Sequence, residues 1–154
     1  MRKTVQYLLF LLPATLALGS CTKWLDVQPQ DKFTEVQIFA SKPLLFQAMN
    51  GIYLSISKNN LYGDNLTMSV PEILAQNYNI PVSHSYTAFA SYNYADATVA
   101  AKFSTIWENA YAAVANANIF LQSLAASPGI VSPAQDSILR GEAIALRAYL
   151  QFDV

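Results

Sequence analysis

Residues 97–127 read ATVAAKFSTIWENAYAAVANANIFLQSLAAS and form the longest amphipathic stretch of the chain. Apolar residues recur here at steps of three and four, the spacing of one face of an α-helix. The predicted face consists of Val99, Phe103, Ile106, Ala110, Val114, Ala117, Leu121 and Leu124, widened by Trp107, Tyr111 and Phe120. With Asp96 at the N-cap position, the pattern predicts a long helix from Ala97 whose aromatic residues, Trp107 and Tyr111 included, lie in the core.

A second long helix is predicted after residues 127–129, Ser-Pro-Gly, which end the first. Ser132 and Gln135 have the spacing of a capping box, with Pro133 at the first helical position. The apolar stripe that follows is Ile138, Leu139, Ala143, Leu146 and Leu150. Asp136 and Arg140 have the spacing of a supportive ion pair. For Glu142 and Arg147 we expect an ion pair or a contact with a neighbouring helix, and for Asn118 a bond to backbone between helices.

An earlier helix is predicted within residues 41–58, where Ser41 is a candidate N-cap and Pro43 lies in the first turn. Its apolar stripe is Leu45, Met49, Ile52 and Ile56. Gly51 interrupts this helix and costs up to about 1 kcal/mol relative to alanine, so we expect another helix to pack closely against it. The stretch VPEILAQ predicts a further helix of two turns that begins at Pro71.

Residues 77–95 are predicted to be irregular, with a short pair of strands as an alternative, because Pro81 and many Asn, Ser and Thr residues oppose a long helix. Aromatic residues alternate here with amides and hydroxyls, and residues 59–101 contain no Lys or Arg. Rings stack on the C–H faces of sugars, and neutral polar groups pair with their hydroxyls. The predicted ligand-binding residues are Tyr78, Tyr86, Tyr92, Asn93 and Tyr94. In an extended chain, Tyr92 and Tyr94 share one side. The alternative is that these rings pin a loop to the helical core.

The N-terminus has the pattern of an export signal in residues 1–20. Arg2 and Lys3 precede twelve residues, from Tyr7 to Leu18, that are too few to span a membrane. Leu18-Gly19-Ser20-Cys21 resembles the lipobox of bacterial lipoproteins, which predicts cleavage before Cys21 and its acylation. Residues 21–32 would then be a tether. The alternative is an ordinary secretory signal followed by a chance cysteine.

The apolar stripe of the last predicted helix still runs at Val154, with no stop signal after it. The amphipathic helices also leave wide apolar faces without a partner, and stacked helical pairs usually need about three repeats to be stable. We therefore expect residues 33–154 to be the N-terminal part of a longer helical domain.

Four pieces of the sequence, in this order, resemble the SusD/RagB family of nutrient-binding outer-membrane lipoproteins. They are the lipoprotein signal with WLDVQPQDKFTE after it, SKPLLFQAMNGIYLSI, WENAYAAVANANIFLQSL and GEAIALRAYLQFDV. The resemblance implies an all-α fold of tetratricopeptide-like helical hairpins with an irregular ligand-binding loop region. It also implies a partner, a SusC-like TonB-dependent transporter, to which the lipid-anchored protein delivers glycans or other nutrients at the cell surface. One departure is LAQNYN, which stands where family members often carry an acidic pair.

Several other classes of function have little support. A nucleic-acid partner would require a basic patch, and the formal net charge is −1. One cysteine and one histidine, His84, exclude a disulfide framework and give no metal site, and nothing indicates a cofactor. Asp64, Glu72 and Asp96 could supply a hydrolase's carboxylate pair, but their spacing does not require one. The alternatives to a nutrient-binding lipoprotein are a lipid-anchored helical-repeat scaffold that binds protein without a small ligand and a surface glycan hydrolase.

Overall fold

The computed structural model describes residues 35–154, so the signal sequence, Cys21 and the whole tether lie outside the described residues. Six α-helices occur in this range. They are α1 (Glu35–Ile38), α2 (Lys42–Ile56), α3 (Val70–Leu74), α4 (Thr87–Ala90), α5 (Ala97–Ala126) and α6 (Pro133–Asp153), and a π-helix, Asn65–Ser69, leads directly into α3. The predicted all-α fold is confirmed. The alternative of a strand pair in residues 77–95 is wrong, because turns and α4 occupy this segment and no strand occurs within the described residues.

The long helices α5 and α6 pack against each other as a hairpin. They are joined by the six residues 127–132, and so short a connection makes neighbouring helices antiparallel. Within this connection Gly129 has a φ of 86°, a left-handed conformation that glycine adopts without strain. The predicted stripe of α6 is buried at Leu139, Ala143, Leu146 and Leu150, whereas Ile138 is 66% exposed. The stripe is therefore narrower than predicted.

Helix α2 packs on α5 and runs in the opposite direction. Phe39, just before α2, meets Phe120 near the end of α5 at a ring-centroid distance of 5.7 Å. Beyond the other end of α2, the Asn65 side chain accepts a hydrogen bond from Lys102 near the start of α5. The predicted stripe of α2, Leu45, Met49, Ile52 and Ile56, is buried against this bundle. Thus α2, α5 and α6 form one three-helix core.

The predicted helix caps are largely confirmed. The Asp96 side chain accepts a hydrogen bond from the Thr98 backbone N–H at 2.8 Å, and the capping box of Ser132 and Gln135 is complete. Ser41 occupies the N-cap position of α2 but makes no capping bond with its side chain. Asp136 and Arg140 form the predicted ion pair, at 2.6 Å.

The expected polar contacts between helices differ in detail from those observed. Arg147 donates to the side chain of Asn118 at 2.8 Å and so links α6 to α5. Asn118 therefore bonds a side chain and not backbone, and Glu142 and Arg147 do not form an ion pair. The expectation that Arg147 contacts a neighbouring helix is confirmed.

The expectation of close packing at Gly51 is wrong. A Cβ atom built at this position would meet no other atom within 4 Å. Gly51 instead lines an open apolar groove of about 400 Å³ between α2 and α5, together with Ala48, Ile119 and Phe120. Small side chains on α2 leave this groove unfilled.

Gly63 is the glycine that the fold requires. It lies in the turn between α2 and the π-helix, where its N–H donates to the Lys58 carbonyl at 3.0 Å. A Cβ atom at Gly63 would collide with the Ser57 carbonyl oxygen and lie 2.7 Å from the Lys58 carbonyl carbon. Only glycine allows the chain to pass this close to the end of α2.

The hairpin predicts that added volume at Ala143 destabilises the fold. Ala143 is fully buried on α6, so A143L should lower the free energy of unfolding by about 1–3 kcal/mol, the usual range for overpacking. Ala145 on the same helix is exposed, and A145L should change it by less than about 0.5 kcal/mol. Urea unfolding of both variants measures this difference. Equal effects would contradict the described packing.

Replacing glycine by alanine should have opposite effects on stability at Gly63 and Gly51. G63A should destabilise the chain by about 1–3 kcal/mol, because the new methyl group meets backbone that cannot move away cheaply. G51A should stabilise it by about 0.5–1 kcal/mol, since alanine favours the helix and the groove has room. Thermal unfolding compares the two. Destabilisation by G51A would instead support the close packing first expected there.

Candidate functional site

The irregular segment is shaped by two residues in the left-handed conformation, Gln76 (φ 60°) and Tyr92 (φ 56°). Gln76 lies just after α3, and its side chain donates to the Ala90 carbonyl at 2.9 Å. Tyr92 lies just after α4, and its hydroxyl donates to the Leu74 carbonyl at 2.9 Å. The Gln76 side chain, after α3, thus bonds a carbonyl at the end of α4, and the Tyr92 side chain, after α4, bonds a carbonyl at the end of α3. This reciprocal pair of bonds holds the C-terminal ends of α3 and α4 together.

The turn at Tyr92 changes the expected arrangement of the predicted ligand residues. The N–H of Tyr94 bonds the carbonyl of Tyr92, so this stretch is a turn and the two rings do not share one side of an extended chain. The Tyr92 hydroxyl is already bonded to Leu74, although its ring is half exposed. Asn93 is exposed, and its N–H donates to the Ala88 carbonyl at 2.8 Å. Tyr78 is also half exposed, and no ring contact within the described residues joins it to Tyr86, Tyr92 or Tyr94.

Tyr86 and Tyr94 are brought together through a chain of ring contacts. Tyr86 meets Phe89 at a centroid distance of 5.6 Å, Phe89 meets Phe103 at 5.8 Å, and Phe103 meets Tyr94 at 6.3 Å. Phe89 is buried, Tyr86 is half buried and Tyr94 is exposed. The interpretation that aromatics pin the loop to the core therefore fits Phe89 and in part Tyr86, whereas Tyr94 remains open to solvent.

An exposed row of rings continues from Tyr94 along α5. We call Tyr94, Phe103, Trp107 and Tyr111 the aromatic strip; their exposed fractions are 56%, 38%, 52% and 41%. The three helical members lie four residues apart, so they occupy successive turns of one face and span about 12 Å. Trp107 and Tyr111 are 4.6 Å apart between ring centroids. The prediction that these two residues lie in the core is wrong.

A shallow groove of about 300 Å³ accompanies the aromatic strip. Phe103 and Trp107 line it together with Ser104 and Glu108. It therefore offers two ring faces, a hydroxyl and a carboxylate at one place. A polyhydroxylated ligand can stack on such rings and form hydrogen bonds with such polar groups.

One cation lies closer to this region than the sequence suggested. Lys102, the first basic residue after the stretch without Lys or Arg, places its ammonium group 5.5 Å from the centre of the Tyr86 ring. The same group donates to the Asn65 side chain at 3.3 Å. Lys102 is thus engaged by a ring and an amide beside the aromatic strip.

The packing of α5 explains why Trp107 and Tyr111 lie outside the core. The buried face of α5 includes the small residues Ala110, Ala113, Ala117 and Ser123. A helix that approaches such residues closely leaves no room for a Trp or Tyr at the same contact. In the sequence, the alanines mark the side of α5 that packs against other helices. Hydrophobic periodicity alone does not distinguish this side from the neighbouring side that carries the aromatic strip.

Among the described residues, little supports catalysis or metal binding. Within residues 35–154 no three His, Cys, Asp or Glu side chains group in a way that could hold a metal ion. His84 is exposed and stacks on Tyr86 at a centroid distance of 5.7 Å. Glu72 accepts a hydrogen bond from the Asn77 side chain, and Asp96 caps α5. Bonds to Thr98 lower the pKa of Asp96, which suits an ionised cap and not an acid catalyst.

No helix in residues 35–154 combines the length and hydropathy needed to cross a bilayer.

Comparison with known protein families identifies the family of this chain. Residues 23–154 match the model of a SusD-like family described as starch-binding and associating with the outer membrane. The match covers most of the chain, so the protein belongs to this family, as the resemblance of its motifs implied. The family is described by what it binds and not by a reaction. No curated protein and no solved structure matched the chain.

Proposed function

We propose that this protein is a cell-surface lipoprotein of the outer membrane that binds a glycan and passes it to a SusC-like TonB-dependent transporter. The observation that carries the ligand part of this proposal is the aromatic strip, where Tyr94, Phe103, Trp107 and Tyr111 are exposed in one row. Membership of a family described as starch-binding and outer-membrane-associated supports both the ligand class and the location.

Binding would proceed without chemistry on the ligand. Sugar rings would stack on the strip, while Ser104 and Glu108 pair with hydroxyl groups in the adjacent groove. Tyr86, Tyr78 and Asn93 would extend this surface, and Tyr92 would act mainly by holding the loop. An anionic ligand does not suit the strip, because its groove contains one carboxylate and no basic residue.

The proposed anchor is Cys21. Residues 1–20 would be removed as a lipoprotein signal, Cys21 would carry the acyl chains, and residues 21–32 would tether the fold. A single acyl chain binds a membrane weakly, whereas two or more hold it stably at about 0.8 kcal/mol per buried CH₂ group. Residues 33–154 would form the first part of a longer helical domain, of which the hairpin of α5 and α6 is one repeat.

A protein-binding scaffold is the second candidate, and one observation favours it. Aliphatic side chains are exposed on three helices, including Leu54 on α2, Ile119 on α5 and Ile144 on α6. The two candidates differ in the role of the strip, because a scaffold does not need rings that contact sugar. The exposure of Tyr92 and Tyr94 favours the glycan-binding proposal.

Removing rings from the strip should weaken retention by polysaccharide. We expect W107A and Y94A each to bind a soluble α-glucan about tenfold more weakly, which corresponds to about 1.4 kcal/mol for one lost stacking contact. Affinity electrophoresis in gels with and without the polysaccharide measures the change.

The control is F152A, which removes an exposed ring outside the strip and should leave retention unchanged. If W107A and Y94A migrate like the unmodified protein in every polysaccharide gel that retains it, the proposed ligand surface is wrong.

Replacing the proposed lipid attachment site should release the protein from the membrane. We expect C21A to shift from the membrane fraction to the soluble fraction, because no thiol remains to acylate. T22A, at the next residue, should stay in the membrane fraction. Mass spectrometry of the unmodified chain should find acyl groups on residue 21, and a free thiol there would contradict the proposed anchor.

A further inference from the structure

Gln76 and Tyr92 both hold a backbone conformation that is unfavourable for residues other than glycine. Their φ angles of 60° and 56° lie in the left-handed region, and both residues are exposed. Strained conformations persist only where the surrounding structure holds them, and they are concentrated at functional sites. Two such residues that bond to each other's helix therefore call for a role beyond the packing of α3 and α4.

The Gln76 amide bridges the ends of these two short helices. Its Nε2 atom donates to the Ile73 carbonyl in α3 at 3.3 Å and to the Ala90 carbonyl in α4 at 2.9 Å. The last carbonyls of a helix have no partner within the helix, so a side chain that reaches them satisfies them from outside. One amide can serve both helices because its nitrogen carries two hydrogens. Gln76 thus ties the two ends together with directional bonds.

The buried ring of Phe89 also attaches α4 to the rest of the fold, but it constrains a different quantity. Phe89 is 2% exposed and meets Phe103 of α5 at a centroid distance of 5.8 Å. Apolar contacts are non-directional, so they constrain the distance of α4 from α5 more than the direction in which its end points. Hydrogen bonds require alignment of donor and acceptor, so the bond at Ala90 supplies that direction.

Tyr94 lies between this fixed point and the start of α5. Its N–H donates to the Tyr92 carbonyl at 3.0 Å, and two residues later Asp96 caps α5. The Tyr94 ring meets Phe103 at 6.3 Å, the contact that joins the irregular segment to the helical part of the aromatic strip. If Tyr92 left the left-handed conformation, the peptide that holds Tyr94 would turn and carry its ring away from Phe103.

We propose that Gln76 is a positioning residue for the glycan surface: its bridge between α3 and α4 holds the turn at Tyr92, and this turn aligns Tyr94 with Phe103. The inference rests on the proposed function, because it gives Gln76 an effect on affinity through a ring that contacts the ligand. Gln76 itself does not line the groove beside the strip. Without the bridge all four rings of the strip remain, but binding must first order Tyr94, and this ordering lowers the affinity.

The variant Q76N separates the bridge from the conformation of residue 76. Asparagine adopts the left-handed conformation more readily than glutamine and keeps the amide, but it is shorter by one methylene group, so the bond to Ala90 is lost. We expect Q76N to bind a soluble α-glucan about three- to tenfold more weakly in affinity electrophoresis. The control Q122N, at an exposed glutamine further along α5, should leave retention unchanged. Equal retention of Q76N and the unmodified protein would overturn the proposal.

A double-mutant cycle shows whether Gln76 acts through Tyr94. Adding Q76N to Y94A should weaken retention no further, because the ring that Gln76 aligns is already absent. Y92F, which removes only the hydroxyl bonded to Leu74, should weaken retention in the unmodified protein and likewise have no effect in Y94A. Additive effects in either double variant would show a role independent of Tyr94 and refute the proposal.

The ring positions can also be measured without ligand. Nuclear Overhauser contacts between Tyr94 and Phe103 should weaken in Q76N, while those between Tyr86 and Phe89 persist and show that the fold is intact. Unchanged contacts between Tyr94 and Phe103 would contradict the alignment by Gln76. If Y94A weakens retention and Q76N does not, this inference falls and the proposed glycan surface stands. If Y94A has no effect on retention, both fall.

Discussion

The close packing of α5 against α6 and α2 is the constraint on which the other features depend. Alanines are buried at positions 110, 113 and 117 of α5 and at Ala143 of α6, so the helices meet through small side chains. Small residues allow a close approach and fill the contact without voids. Because no large ring fits at such a contact, Trp107 and Tyr111 lie elsewhere on the surface of α5, whereas Phe120 is buried against Phe39 near the end of the helix.

The aromatic strip follows from this packing. Phe103, Trp107 and Tyr111 occupy successive turns beside the buried face, and Phe103 also meets Phe89 and Tyr94 of the irregular segment. The reciprocal bonds of Gln76 and Tyr92 fix that segment at the ends of α3 and α4. Helix α5 and the irregular segment, which these two bonds hold in place, thus present one continuous row of rings. Such preorganisation lowers the entropy lost on binding.

The sequence was a good guide to helices and a weaker guide to surfaces. The starts of α5 and α6 could be predicted, because a cap at Asp96 or Ser132 depends on a few neighbouring residues. The exposure of Trp107 and the openness of the groove at Gly51 depend on which helix lies opposite, and periodicity does not contain that information. The left-handed turn at Tyr92 was missed for a related reason, since its bond to Leu74 links residues 18 apart.

The central claim is that one side of α5 packs the fold while a neighbouring side is free to bind a glycan. The most direct measurement is acrylamide quenching of Trp107 fluorescence in a W24F variant, where Trp107 is the remaining tryptophan. The account predicts efficient quenching of the free protein and clear protection by a saturating glucan. Blue-shifted emission that resists acrylamide, or quenching that the bound glucan does not change, would contradict it.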